Sequence, residues 1–189
     1  MINQPTAFAQ LLWQQILSSG DRVIDATCGN GKDSFEIAKL IGPQGHLIAI
    51  DIQAAALERT QALLQTLPQL PLLSLFHQSH ATMPDTILDA SVQMIVYNLG
   101  YLPGGNKQLT TSTPSTLQSL SQSAPKLRPG GFFSIMCYPG HAEGAMETQA
   151  LLHWASTLCK KTWICTRHEW VNRGASPLLL LIQKKIVYC

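Results

Sequence analysis

At 189 residues and 46% hydrophobic content, the chain is long enough to bury one sizeable core, and one domain over residues 1–189 is expected. Apolar runs such as 178–182 are too short to span a bilayer, no basic segment followed by an apolar signal core opens the chain, and five scattered cysteines without a C-x-x-C pair argue against a disulfide framework or a zinc site, so a soluble cytoplasmic protein is expected. The net charge of +2 hides an asymmetry of four Lys/Arg against eight Asp/Glu in residues 1–100 and nine against three in residues 101–189, which suits a polyanionic partner such as RNA or, equally on charge alone, an ordinary solvated face.

A leading amphipathic helix is predicted over 6–17, where Phe8, Leu12 and Trp13 are fit to cover a sheet or to join a homodimer. Apolar runs then alternate with helical periodicity. Strands are predicted at 22–26, 46–51, 72–77, 91–98, 131–138, 162–171 and 178–184, and helices at 32–41, 54–66, 113–124 and 145–159. The connection 80–88 is short and weakly helical. Gly42-Pro43, the prolines of 68–71, Pro129-Gly130-Gly131 and Pro139-Gly140 each break a periodic segment. The last two strands have no helix between them and are joined by 172–176, so an antiparallel hairpin is predicted. The expected fold class is α/β: a Rossmann-like, seven-stranded, mostly parallel sheet with an antiparallel edge hairpin and helices on both faces. That is the layout of class I methyltransferases, whereas a dinucleotide-binding domain usually stays parallel at that edge.

The stretch Asp25-Ala26-Thr27-Cys28-Gly29-Asn30-Gly31-Lys32-Asp33 joins the first strand to the next helix, at the strand end where open α/β sheets bind ligands. Gly29 and Gly31 let the backbone turn tightly against a ligand, and the following helix points free N–H groups at an anion. For S-adenosylmethionine that anion is the methionine carboxylate. Asp25 would attract the methionine ammonium, and Thr27, Asn30 and Asp33 would fix the turn or contact the same end; capping of the helix by Asp and Asn is the plainer alternative. Ser34 stands at the third position of the dinucleotide fingerprint, which weakens the case for NAD. Asp51 ends the second strand about 20 residues after the turn, placed to accept hydrogen bonds from both ribose hydroxyls or, more plainly, to cap a helix. Gln53 supports the ribose or faces solvent. Ser79 and His80 follow the third strand, where an adenine would lie, unless His80 is simply a loop histidine. Cys28 is expected only to pack, so covalent catalysis is not the favoured chemistry.

The fourth strand runs into Asn98-Leu99-Gly100-Tyr101-Leu102-Pro103-Gly104-Gly105-Asn106-Lys107. This segment resembles the N-P-P-Y-type loop of amino-group methyltransferases, with Leu99-Gly100 in place of Pro-Pro. The resemblance implies that the Asn98 side chain and the Leu99 carbonyl accept hydrogen bonds from the target nitrogen while Tyr101 stacks on a base. Alternatively, the glycines mark a tight loop and Tyr101 packs on the core. After the fifth strand comes Tyr138-Pro139-Gly140-His141-Ala142-Glu143-Gly144. His141, with an ordinary pKa of about 6.5, is a candidate base or substrate contact, or else a helix cap. Glu143 reads as a first-turn helix acid.

Taken together, D-A-T-C-G-N-G-K-D, D-I-Q, N-L-G-Y-L-P-G-G-N-K and Y-P-G-H-A-E-G resemble the bacterial family first labelled putative rRNA methylase, from Ala7 to the final strand. Two positions depart from its pattern: Ser79 stands where Gly is usual before His80, and Pro177 alone where two prolines are usual. The resemblance implies an S-adenosylmethionine-dependent methyltransferase acting on the amine of 5-aminomethyl-2-thiouridine at the tRNA wobble position. Catalysis would rest mainly on positioning. Asn98, Tyr101 and His141 are the catalytic candidates, with His141 or Tyr138 receiving the amine's proton. Lys107, Tyr138 and Arg173 are the substrate candidates, and Arg128, Lys160, Lys161 and Arg167 would help to hold the anticodon region. Methylation of rRNA or of a small amine would share the same cofactor residues. An NAD-dependent oxidoreductase and a non-enzymatic RNA-binding protein are the more distant alternatives.

Overall fold

The computed structural model describes residues 4–100, 111–174 and 176–186. Helix α1 (Pro5–Ile16) leads into β1 (Arg22–Asp25), α2 (Lys32–Ile41), β2 (His46–Asp51), α3 (Ala54–Leu64), β3 (Leu72–His77) and β4 (Val92–Asn98). There follow α4 (Thr113–Ser123), one 3₁₀ turn (Ala124–Lys126), β5 (Leu127–Cys137), α5 (Ala142–Thr157), β6 (Trp163–His168) and β7 (Leu178–Lys184). The strands form one sheet in the order β3-β2-β1-β4-β5-β7-β6. Only β7 runs antiparallel, pairing Cys137 with Leu178 on one side and His168 with Leu179 on the other. Among the described residues no helix is long and apolar enough to cross a membrane.

Alternation within the strands divides the core between the two faces. Val23, Leu47, Met94 and Val96 pack under α1 and α2 with Ile37, Ile41 and Trp13. Ile24, Ile48, Ile50, Ile95 and Phe133 face the other way, against Leu120 of α4 and Leu151 and Ala155 of α5. On that second face the connection between β3 and β4 forms no helix, and Met83 and Ile87 fill the gap instead. Central strands are therefore buried on both sides, and both edge strands are left partly exposed.

Two predicted starts move by three residues or more, and β6 ends at His168 rather than at 171. Strand β5 begins at Leu127, so Pro129-Gly130-Gly131 lies inside it. The pairing jumps from Val92↔Leu127 to Met94↔Phe132, and Gly130 takes φ +83°, so the Pro-Gly-Gly run makes a bulge that the strand survives. Helix α5 begins at Ala142 rather than 145, because the His141 ring caps it by accepting a hydrogen bond from Gly144 N at 3.1 Å.

Helix α1 is docked by Trp13, which is 2% exposed and whose indole N–H donates to Ser134 Oγ on β5 at 2.9 Å. Replacing Trp13 with Ala removes this large buried ring and leaves the Ser134 hydroxyl unpaired. Urea unfolding should show a loss of about 3–5 kcal/mol relative to wild type.

Candidate active site

The parallel strands deliver their last residues to one edge, where the turn after β1 gathers three carboxylates. Asp25 ends β1 and is 1% exposed. It accepts a hydrogen bond from the Ser34 hydroxyl at 2.6 Å and one from Thr27 N at 3.3 Å. Burial first, and the Asp33 charge second, push its carboxyl up to about 7 against the lowering effect of the Ser34 bond. Ser34, which weakened the dinucleotide pattern, is thus the buried tether between α2 and Asp25.

The turn itself is held from outside. Cys28 N donates to Ile50 O at 3.1 Å and Gly31 N to Cys28 O at 2.8 Å. Gly29 and Gly31 take φ of 54° and 77°, in the left-handed region. A Cβ on Gly31 would sit 2.7 Å from Thr60 Cα, which is backbone of α3, so only glycine fits. Asp51, closing β2, accepts from Gly29 N and from Gln53 N, each at 2.9 Å. Asn30 Oδ1 is turned to Arg59, which donates to it at 2.7 Å. Helix α2 carries no side-chain cap at its N-terminus, and Asp33 is the acid of its first turn.

Asn98 closes β4 against the same turn. Its backbone N–H donates to Thr27 Oγ1 at 2.7 Å, and its side-chain NH₂ donates to Asp33 Oδ2 at 2.9 Å. The other Asp33 oxygen accepts from Gln10 Nε2 of α1 at 3.0 Å. Thr6, Ala9, Asp33, Asn98 and Ser134 are among the residues lining a small cavity under α1. Tyr138, just past β5, joins this group. Burial first, then the Asp33 charge, push its hydroxyl up to about 12, while a bond with Asn98 pulls it down.

His80 packs edge-on against Tyr97, with ring centroids 6.1 Å apart, and its buried Nε2 has no partner among the described residues. Burial lowers its pKa, the Asp51 charge opposing. Ser79 makes a local turn, its hydroxyl accepting from Ala81 N at 3.2 Å. His141 is exposed, and its Nδ1 is taken by the α5 cap, which matches the plainer of its two alternatives. Tyr101 and Lys107 lie outside the described residues.

The basic residues divide between the two edges of the sheet. Arg167, which pairs with Glu169, and Arg173 in the β6–β7 connection stand at the same edge as Asn98. Arg128, however, is bound to Asp21 and Gln93 at the start of β5, and Lys160 and Lys161 precede β6, so these three sit at the opposite edge. The basic residues of the second half, which sequence alone could not sort by face, therefore do not share one surface.

Two site residues carried no sequence signal. Gln10 is one of three glutamines in α1, and only the docking of Trp13 selects it. Glu147 of α5 is 5% exposed and accepts from Thr111 Oγ1 at 3.0 Å and Thr116 Oγ1 at 2.7 Å, while Thr111 Oγ1 accepts from Gly100 N at 2.8 Å. It thereby anchors the backbone just after Asn98.

Residues 47–184 match the family model described as "putative rRNA methylase". The chain belongs to that family. It is 36% identical to the chloroplastic tRNA (mnm(5)s(2)U34)-methyltransferase of Arabidopsis thaliana over 95% of this chain and 69% of that protein. The crystal structure of a putative rRNA-methylase from Clostridium thermocellum superposes with a TM-score of 0.90 at 31% identity, covering 98% of this chain and all of that one. A putative methyltransferase from Streptococcus mutans, solved in complex with SAH, gives a TM-score of 0.84 at 26% identity, covering 97% of this chain and 99% of that one. The protein is thus a class I methyltransferase that uses S-adenosylmethionine, which sets aside the oxidoreductase and the non-enzymatic RNA-binding alternatives.

A carboxyl raised by burial stabilises the fold only while it keeps its proton. The Asp25 contribution is present below its ordinary unfolded value and is lost as pH rises toward about 7. Without cofactor, thermal and urea unfolding of the wild type should therefore weaken between pH 5 and pH 8, by roughly 2 kcal/mol more than in Asp25→Asn.

Proposed function

We propose that this methyltransferase acts on the amine of a 5-aminomethyl-(2-thio)uridine at the tRNA wobble position. The observation that carries the nitrogen chemistry is the Asn98 amide. A carboxylate only accepts hydrogen bonds, so Asp33 takes the Asn98 NH₂ and leaves its Oδ1 to accept from an N–H of the acceptor. The tRNA assignment is supported by the Arabidopsis thaliana relative, whose name specifies that nucleoside.

The residues fit S-adenosylmethionine. The uncapped start of α2 suits its carboxylate, and Asp25 its ammonium, with Thr27, Gly29, Asn30 and Gly31 shaping that end. Asp51 and Gln53 face the ribose end, and the unpartnered Nε2 of His80, beside Ser79, awaits an adenine hydrogen bond. The bound cofactor supplies a methyl group on a sulfonium. The chain's own contribution is placement: Asn98 orients the nitrogen, the Leu99 carbonyl assists, and Tyr101 and Tyr138 wall the base. Arg167, Arg173 and Lys107 hold the phosphates.

Incubation with labelled S-adenosylmethionine and tRNA bearing the unmethylated 5-aminomethyl group, followed by nucleoside mass analysis, should yield the methylated nucleoside. Methyl transfer to rRNA alone, which the family's description would favour, overturns the tRNA assignment. In the same system Asp51→Ala should weaken SAH binding at least tenfold by calorimetry. Arg173→Ala should lower the salt slope of tRNA binding by about one, with SAH affinity unchanged.

A further inference from the structure

An alkylammonium has no lone pair, and with an ordinary pKa near that of lysine, about 10.4, only about one molecule in a thousand is free amine at neutral pH. A group beside the nitrogen must receive a proton. The two sequence candidates serve poorly. The Nδ1 lone pair of His141 is occupied by the α5 cap, and the Tyr138 hydroxyl, pushed up to about 12, is not a phenolate near neutrality. Asp25 is sealed behind Ser34, and Asp51 ends β2, with β1 between it and Asn98 of β4. Asp33 remains, bonded directly to the amide that orients the acceptor.

We infer that Asp33 is the proton acceptor of the reaction, its carboxylate aimed by Gln10 of α1 and by Asn98 of β4. This rests on the amine acceptor proposed above. A nitrogen bound at Asn98 Oδ1 neighbours the carboxylate that holds the same amide's NH₂. The substrate ammonium gives a proton to Asp33, and the N–H electron pair becomes the lone pair. That pair forms the new N–C bond as the S–C bond breaks with its electrons left on sulfur. The products are a secondary ammonium, the thioether S-adenosylhomocysteine and, once the Asp33 carboxyl releases it to solvent, one proton.

Among the described residues the groups facing Asp33 are few. Asp25 on β1, Lys32 and Glu36 on α2 and Tyr138 after β5 are its ionisable neighbours. Helix α1 brings only the Gln10 amide, and β4 brings Asn98, with Tyr97 bonded on the opposite face to Ser119 and Ser123 of α4. Burial raises the Asp33 pKa, opposed by the Gln10 and Asn98 bonds, which moves a carboxyl toward the range useful for a base at neutral pH.

The test is the pH profile of kcat from pH 6.5 to 9.5 on tRNA bearing the unmethylated 5-aminomethyl group. Asp33→Asn should lose about 100-fold at pH 7 and recover most of it by pH 9.5, where solvent supplies free amine, with SAH affinity by calorimetry within about threefold of wild type. Gln10→Glu, which sets a second carboxylate against Asp33, should move the acid limb to higher pH. A loss in Asp33→Asn that is the same at every pH, or that is matched by weaker SAH binding, overturns the proposal and leaves Asp33 a structural or cofactor residue. So does an unmoved limb in Gln10→Glu. Wild-type enzyme that methylates this tRNA at no pH overturns the acceptor assignment itself, whereas wild-type product with a flat Asp33→Asn loss overturns only the role of Asp33.

Discussion

One buried and two half-buried carboxylates around one glycine turn set the terms for the rest of the molecule. A buried carboxylate is costly unless hydrogen bonds or positive charge meet it. Here each is met by donors from a different element. Asp51 draws the turn onto β2 through Gly29 N, and Asp25 draws α2 down through Ser34. Asp33 collects α1 and β4 through two amides. The negative charge thus organises four elements around one point, and none of these partners is a cation. On the proposed cofactor placement, a ligand carrying an ammonium and a sulfonium supplies what the protein leaves out, and its affinity shares one origin with the raised Asp25 carboxyl.

Much of the fold was legible because it depends on local periodicity. The β2, β3 and β7 boundaries coincide with their apolar runs, and the missing helix before β7 announced the antiparallel edge. Misread boundaries came from punctuation. Pro129-Gly130-Gly131 has the chemistry of a stop, but Arg128 bound to Asp21 and Gln93 holds the bulge in the sheet. Gly144 looked like loop, yet no side chain fits there, because a Cβ would lie 2.1 Å from Tyr138 O.

The site divides the same way. Asp25, Asp51 and Asn98 could be singled out as candidates because each ends a parallel strand, a place fixed by topology. Gln10 and Glu147 could not, since their importance arises from contacts with Asp33 and Thr111 that only tertiary docking creates. The basic second half was a sound count and a poor map. A strand entering the sheet and one leaving it put neighbouring lysines and arginines on opposite edges, which sequence position alone does not reveal.

The docking of α1 has a consequence for the order in which the protein becomes competent during synthesis. Trp13 must wait for Ser134, 121 residues later, and its cluster also includes Leu179 of β7, the last of the described strands in chain order. Helix α1, made before the sheet, is therefore among the last elements to find its seat. Until it does, Gln10 does not reach Asp33, and Ala9 and Trp13 lack the surface that covers them. The carboxylate proposed to serve the acceptor is thus aimed only when α1 and β7, far apart in the chain, come together.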